Sequence, residues 1–222
     1  MAEVVKAHCN KCLRETNHEL YAKKQVSWAG DDMQGQESYE IVICRGCDTV
    51  RFRQVSTGSE IYDEHGNFGE DVSYFPSAVS RQKPTWLGGT SRFPFEQREI
   101  ASLLNEVYAA IHEDLRVLAA IGIRTILDMV MTGKVGDVGP FQAKVSAFEK
   151  AGFISPEHGK FLLETIDAGS ASAHRGFRPS EENLKLLLDI SENLISSIYI
   201  FPDAVGEMSK NVPPRAPIKI KP

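Results

Sequence analysis

The C-terminal half of the chain is patterned for helices, and two of its runs, EDLRVLAAIGIRTILDMVM and SEENLKLLLDISENLISSIYIF, are apolar on more than one narrow face. Neither run is stable alone in water, so each requires other helices to cover it. Ahead of them, Ile100, Leu103, Leu104, Val107, Tyr108 and Ile111 recur at spacings of three and four and form one clean helix face. Glu113 and Asp114 suit the first turn of a second helix, which runs to about Met131 before GKVGDVGP breaks it. Gly122 inside it is disfavoured by roughly 1 kcal/mol relative to Ala and marks a close helix crossing. Phe141, Val145 and Phe148 predict a short third helix stopped by Ala151-Gly152. Ser155-Pro156-Glu157 supplies cap, first-position proline and acidic first turn for a fourth, with Phe161, Leu162, Thr165 and Ile166 inward. The fifth begins after Ser180, with Leu184, Leu187, Leu188, Leu194, Ile195 and Ile198 as its stripe. Leu186 and Ile190 widen that stripe beyond one interface, which points to a homodimer or to burial against the N-terminal region.

The N-terminal third is patterned for strands instead. HELYAKKQVSWAG, YEIVICRG and TVRFRQV read as three strands, the first two joined by the loop GDDMQGQES. From Ser56 the pattern changes to a hairpin around Glu64-His65-Gly66-Asn67 and then to a Gly- and Pro-punctuated crossing segment that lays Trp86 and Phe93 on another surface. Asp63, Glu64 and His65 are a polar turn rather than metal ligands. The fold class is α+β, with expected limits at residues 1–55, 56–94, 95–201 and 202–222, the last an exposed tail closing on PPRAPIKIKP.

The four cysteines change this picture most. Cys9 and Cys12, then Cys44 and Cys47, make two CxxC pairs 31 residues apart, with Asn10 and Gly46 as favourable turn residues. Four thiolates presented from two tight turns suit one tetrahedral Zn2+ per chain in a zinc ribbon. A two-disulfide staple is the alternative. His8 and His18 flank the first pair and read as surface residues, because four cysteines complete the site. A closed shell of four thiolates leaves no position for water or substrate, so such a metal is structural.

Composition narrows the classes. The chain has 222 residues, 42% hydrophobic and 25% charged, with a net charge of −5. It has no apolar run long enough to span a membrane and no signal core at its start, so a cytoplasmic location is expected. Residues 1–55 carry eight basic and eight acidic groups, residues 95–201 ten and fifteen, and the tail four and two. Charge therefore gives no support to nucleic-acid binding. The exposed basic and aromatic candidates of the ribbon, Lys23, Lys24, Trp28, Arg45, Arg51 and Arg53, are interspersed with Asp31, Asp32, Glu37, Glu40 and Asp48.

The polar constellation in the helical region consists of Arg124 and Asp128, four apart and able to pair, and Ser170, His174 and Arg175 in GSASAHRGFRP, the stretch between the fourth and fifth helices. Its small residues allow close approach, and buried acceptors such as Asp128, Asp167 and backbone carbonyls are expected to meet the imidazole and guanidinium. The IRTILD and GSASAHRG stretches resemble the DUF4145 family, a helical domain of unknown function, and the cysteine pairs are similar to the zinc ribbon that precedes it in some members. The resemblance implies a five-helix, distantly HEPN-like bundle and an association with restriction and other anti-phage proteins. Arg124 matches the family's second-helix arginine, His174 its histidine, and Ser170 stands where many members have asparagine. HEPN ribonucleases carry an arginine a few residues ahead of the histidine. Here Asp167, Ala168 and Gly169 occupy those positions. The reading is thus a non-catalytic, zinc-stabilised homodimer that binds a partner or regulates, against a metal-independent ribonuclease using His174 with Arg124 or Arg175.

Overall fold

The computed structural model describes residues 3–30, 32–62, 68–77, 80–87 and 98–213. The chain forms two compact units, one of residues 1–83, 106–119 and 178–184, the other of residues 84–105, 120–177 and 185–222. Among the described residues, no helix is long and apolar enough to cross a membrane.

In the first unit five antiparallel strands lie in sequence order: β1 (Val4–Cys9), β2 (Arg14–Ala29), β3 (Gln34–Cys44), β4 (Val50–Gly58) and β5 (Asp71–Phe75). β1 is a strand the sequence pattern did not mark. The β2–β3 loop is also shorter than expected, because Gln34 to Ser38 continue the ladder opposite Ala29 to Gln25. The hairpin turn expected at residues 64–67 lies outside the described residues, as do Asp31 and Phe93, while Tyr62 and Phe68 on either side of the turn form an antiparallel bridge. Trp86 is half-buried, and the fully covered residue beside it is Leu87.

The sheet curls into a half-barrel, and Arg51 shows how. From β4 its guanidinium donates to the carbonyl of His8 on β1 and, at 2.5 Å, to that of Pro76 after β5, so one side chain ties both edges. It also stacks 4.7 Å from the Tyr74 ring centroid. Arg51 and Glu40, expected on the surface, are both only 2% exposed. The reason is strand phase: Ser38, Glu40, Val42 and Cys44 alternate on one face of β3 and are all buried, while Tyr39 and Ile41 point outward. Glu40 is satisfied there by Ser38 at 2.9 Å, Arg53 at 2.5 Å and Lys23 at 3.3 Å. His18 is likewise buried rather than on the surface, in register with Cys44.

The helices are α1 (Arg98–His112), α2 (Arg116–Val135), α3 (Phe141–Lys150), α4 (Pro156–His174), α5 (Glu181–Ile195) and α6 (Phe201–Asn211), the last two joined by a π-helical turn, Ser196–Ile200. The expected stripe of α1 is buried at Ile100, Leu104, Val107, Tyr108 and Ile111. α2 starts later than expected: Glu113 and Asp114 lie in the connecting turn, Asp114 at φ 56°, where Arg116 pairs with it at 2.6 Å. Ser155 caps α4 by accepting from His158 N–H at 3.3 Å, and Ser180 caps α5 by accepting from Asn183 N–H at 3.1 Å. In the second unit Ile123, Ile126, Leu127, Val130, Phe148, Leu162, Ile166, Leu188 and Ile195 are buried. Phe161, expected inward, is 46% exposed. α4 also runs further than expected, because GSASAH is its last turns rather than a connection. The tail expected from Pro202 begins as α6, which is exposed but helical to Asn211; residues 214–222 lie outside the described residues.

The buried carboxylate makes acid stability a test of the sheet. Burial alone would raise the Glu40 pKa, but hydrogen bonds from Arg53, Ser38 and Lys23 bring it below the usual range, and hydrogen bonds from Ser56 and Gln54 lower Glu37. A depressed folded-state pKa gives stability that is present above the unfolded value of about 4.3 and is lost as pH falls through the folded value. Thermal melts from pH 7 to 2 should show Glu40→Gln less stable than wild type at neutral pH, with the gap closing below about pH 4.3. A gap independent of pH would mean that the carboxylate charge contributes nothing.

Candidate functional site

Two equivalent turns bring the cysteines together. The turn between β1 and β2 carries Cys9 and Cys12, and the turn between β3 and β4 carries Cys44 and Cys47. In each, the residue after the second cysteine is left-handed, Leu13 at φ 55° and Asp48 at φ 58°. Its N–H donates to the carbonyl of the first cysteine, at 2.7 Å for Leu13 and 2.9 Å for Asp48. A further N–H in each turn points at a sulfur, Cys12 N–H to Cys9 Sγ at 3.5 Å and Gly46 N–H to Cys44 Sγ at 3.4 Å. Asn10 contributes through its side chain, whose amide donates to the Ser77 carbonyl at 2.7 Å. Ser77 in turn donates to the Ile111 carbonyl at 2.5 Å, which fixes the first turn to α1 within the same unit.

All four sulfurs lie within 4.8 Å of one another, and the cysteines are free thiols. Cys9 and Cys47 Sγ are 3.5 Å apart, Cys12 and Cys44 Sγ 3.9 Å. Burial would push the Cys44 thiol up, but the Thr16 hydroxyl, the Gly46 N–H and the neighbouring cysteines bring it down to about 6. The Thr49 hydroxyl and N–H lower Cys47. Hydrogen bonding to Cys47, with burial and the other two sulfurs, pushes Cys12 up to about 12. Converging, buried at Cys9 and Cys44 and half-buried at Cys12 and Cys47, and supported by N–H groups, these residues fit a four-thiolate metal site. Among the described residues the clustered donors are the four cysteines; neither His8 nor His18 joins them.

The polar residues of the helical unit are not assembled into one site. Arg124 does not pair with Asp128; its guanidinium lies 4.5 Å from the centroid of the Phe141 ring. Asp128 binds Lys144 at 2.7 Å, and Lys144 also reaches Asp137 at 3.1 Å. Lys144 gave no sequence signal because its neighbours come from α2 and the α2–α3 loop. Asp128, first, and Asp137 raise its pKa against the effect of burial. His174 and Arg175 are exposed at the end of α4 rather than buried, and Arg175 binds the exposed Asp167 at 2.6 Å.

What does come together is backbone. Gly169 on α4 faces α2 so closely that a Cβ there would sit 2.5 Å from Arg124 Cβ and 2.8 Å from the Ala120 carbonyl oxygen. The close crossing anticipated from the small residues is therefore made by Gly169, with the half-buried Ser170 next to it on α4. Sequence reasoning also missed a groove of about 520 Å3 whose walls include Phe153, His158, Phe161, Ile190, Asn193 and Ser197. Ile190, which widens the stripe of the fifth helix, was its available signal; the sequence pattern places Phe161 inward.

Gly169→Ala should destabilise the protein by about 1–3 kcal/mol, since neither Arg124 Cβ nor a helix carbonyl can yield without moving a helix. Urea unfolding measures this. At Gly206, where an added Cβ meets nothing within 4 Å, the same substitution should be neutral or stabilising.

No curated protein and no solved structure matches the chain. Residues 105–211 match the family model described as a domain of unknown function, DUF4145. This stretch takes in the second half of α1 and everything through α6, including the crossing of Arg124 by Gly169. Residues 105–211 are therefore a DUF4145-family helical domain, preceded by a curled sheet that carries a clustered four-cysteine motif.

Proposed function

We propose that the protein is a non-catalytic binding or regulatory module, stabilised by one zinc ion and working as a homodimer through its helical domain. The convergence of four buried or half-buried sulfurs carries the reading. A Zn–S distance of about 2.3 Å puts tetrahedral thiolates about 3.8 Å apart; the separations of 3.5 Å for Cys9–Cys47 and 3.9 Å for Cys12–Cys44 bracket that value, and all four sulfurs lie within 4.8 Å. Zinc bound there offsets half the charge of the four thiolates and fixes both turns. Cys9, Cys12, Cys44 and Cys47 fill its shell, so the ion holds structure and offers no open position. The division of the helical polar residues supports the non-catalytic part: Arg124 is engaged by Phe141 and Arg175 by Asp167. The setting in anti-phage or restriction-type defence is supported by the family resemblance.

Protein purified without added metal should contain about one zinc per chain by elemental analysis, and Cys44→Ser should lose most of it. Stripping the metal should lower the melting temperature and abolish the sheet signal in circular dichroism. Metal-free protein with reduced thiols and a folded sheet would remove the basis for the reading.

Light scattering of the full chain at tens of micromolar should give twice the 24.6 kDa chain mass. The same preparation should leave single-stranded RNA intact relative to a buffer control. Cleavage that disappears in His174→Ala while fold and mass are unchanged would replace this reading with a ribonuclease.

A further inference from the structure

An exposed apolar face runs along α5, the π turn and α6. Leu186, Ile190, Asn193, Ser197, Phe201, Val205, Met208 and Val212 succeed one another along it. Apart from the half-buried Ile190 they are all exposed, and Leu186, Phe201, Val205, Met208 and Val212 are 51–60% exposed. The intervals are four, three, four, four, four, three and four residues. The π turn accounts for the irregular middle. Phe201 N–H bonds the Ser196 carbonyl across five residues, and Pro202, which has no N–H to give and would crowd the carbonyl four residues back, follows at once. A π turn holds one residue more than an α turn. Discounting that residue, the intervals alternate four and three throughout, the repeat of a coiled-coil seam.

α6 itself has no buried residue, although its apolar positions share one face and Asp203, Glu207 and Lys210 lie off it. Isolated helices of this length are marginal in water, so the seam is built to be covered. The 520 Å3 groove opens on the same face, with Ile190, Asn193 and Ser197 in its wall and Phe161 beside them.

The geometry points to a second copy of this chain as the occupant, its α5–α6 helix packed antiparallel along this seam about a two-fold axis at Ser197. The inference rests on the homodimer reading above and assigns the surface. About such an axis, residues equally far from Ser197 face each other. Phe201, four residues after it, meets Asn193, four before; Met208, eleven after, meets Leu186, eleven before; Val205 falls within one residue of Ile190. Phe201, Val205 and Met208 thus each meet either the apolar first half or the small, polar wall of the groove, and the partner's Phe201 enters that groove; Val212, fifteen residues after Ser197, falls opposite Glu182 at the end of the seam. Parallel pairing would set Phe201 on Phe201 and Asn193 on Asn193 and leave both grooves empty. Two-fold self-complementarity of this kind is what an isologous interface requires. The area is also sufficient: at about half exposure, Phe161, Leu186, Phe201, Val205 and Met208 offer on the order of 100 Å2 each. Two copies with the groove walls then bury roughly 1,200 Å2, at the lower end of the range of stable interfaces.

The test uses the full, metal-replete chain. Ser197→Cys should give a disulfide-linked dimer under mild oxidation, with the 197–197 peptide pair identified by mass spectrometry, whereas Lys150→Cys at an exposed site on α3 should not. Met208→Glu should raise the dimer Kd at least about tenfold in sedimentation, with its circular dichroism and melting temperature close to wild type. A dimer that keeps its Kd in Met208→Glu and forms no 197–197 link is held by another surface, which overturns this assignment and leaves the homodimer reading standing. Wild type that stays monomeric at tens of micromolar overturns both.

Discussion

Four sulfur atoms within 4.8 Å of one another cannot all carry negative charge unless a cation stands among them. This constraint reaches through most of the sheet unit. The two turns that present the sulfurs end β1 and β3 and begin β2 and β4, so holding the turns together fixes one end of four strands. From there the structure is extended by buried polar contacts. Asn10 reaches Ser77, Ser77 reaches the end of α1, and Arg51 joins the two sheet edges through His8 and Pro76. The apolar core inside the curl is small, essentially Ala7, Val42 and Val55 beside the sulfurs. A sheet with so little to bury is held instead by buried polar and ionic contacts such as those of Arg51 and Glu40.

The helical unit is organised differently, by close packing. Its aliphatic core would accept many arrangements, but the contact of Gly169 with Arg124 Cβ and the Ala120 carbonyl accepts only one spacing of α2 and α4. The two stretches that carry the family resemblance are therefore in contact, and a packing requirement accounts for at least one of their residues. Arg124 is drawn into the same geometry. Its aliphatic stem lies against Gly169 while its guanidinium lies over Phe141.

How much of this was legible depended on whether the signal was local. The cysteine spacing specified its own cluster, and the caps at Ser155 and Ser180 specified where α4 and α5 begin, because each depends on residues within one turn. Glu40 and Arg51 were misplaced because their charges were weighed without strand phase, although Glu40 shares the phase of Cys44 and that alone marks it as inward. GSASAH looked like a connection because glycine and serine favour turns; in α4, packing against α2 outweighs that preference. Pro202 looked like a terminus because proline ends most helices. The widened turn before it, which no local pattern announces, lets the helix go on. The pairing of Asp128 with Lys144 instead of Arg124 depends on a loop that returns α3 to α2, and spacing along one helix contains no trace of it.

That widened turn also bears on how the chain tolerates changes in length. An extra residue in an α-helix ordinarily rotates everything beyond it by about 100°, which would turn the apolar side of α6 away from that of α5. At Ser196–Ile200 the extra residue is absorbed as a local bulge, and the two segments stay in phase. The bulge thus accommodates one extra residue, and the proline directly after it, while the outward surface of the C-terminal arm stays aligned with that of α5.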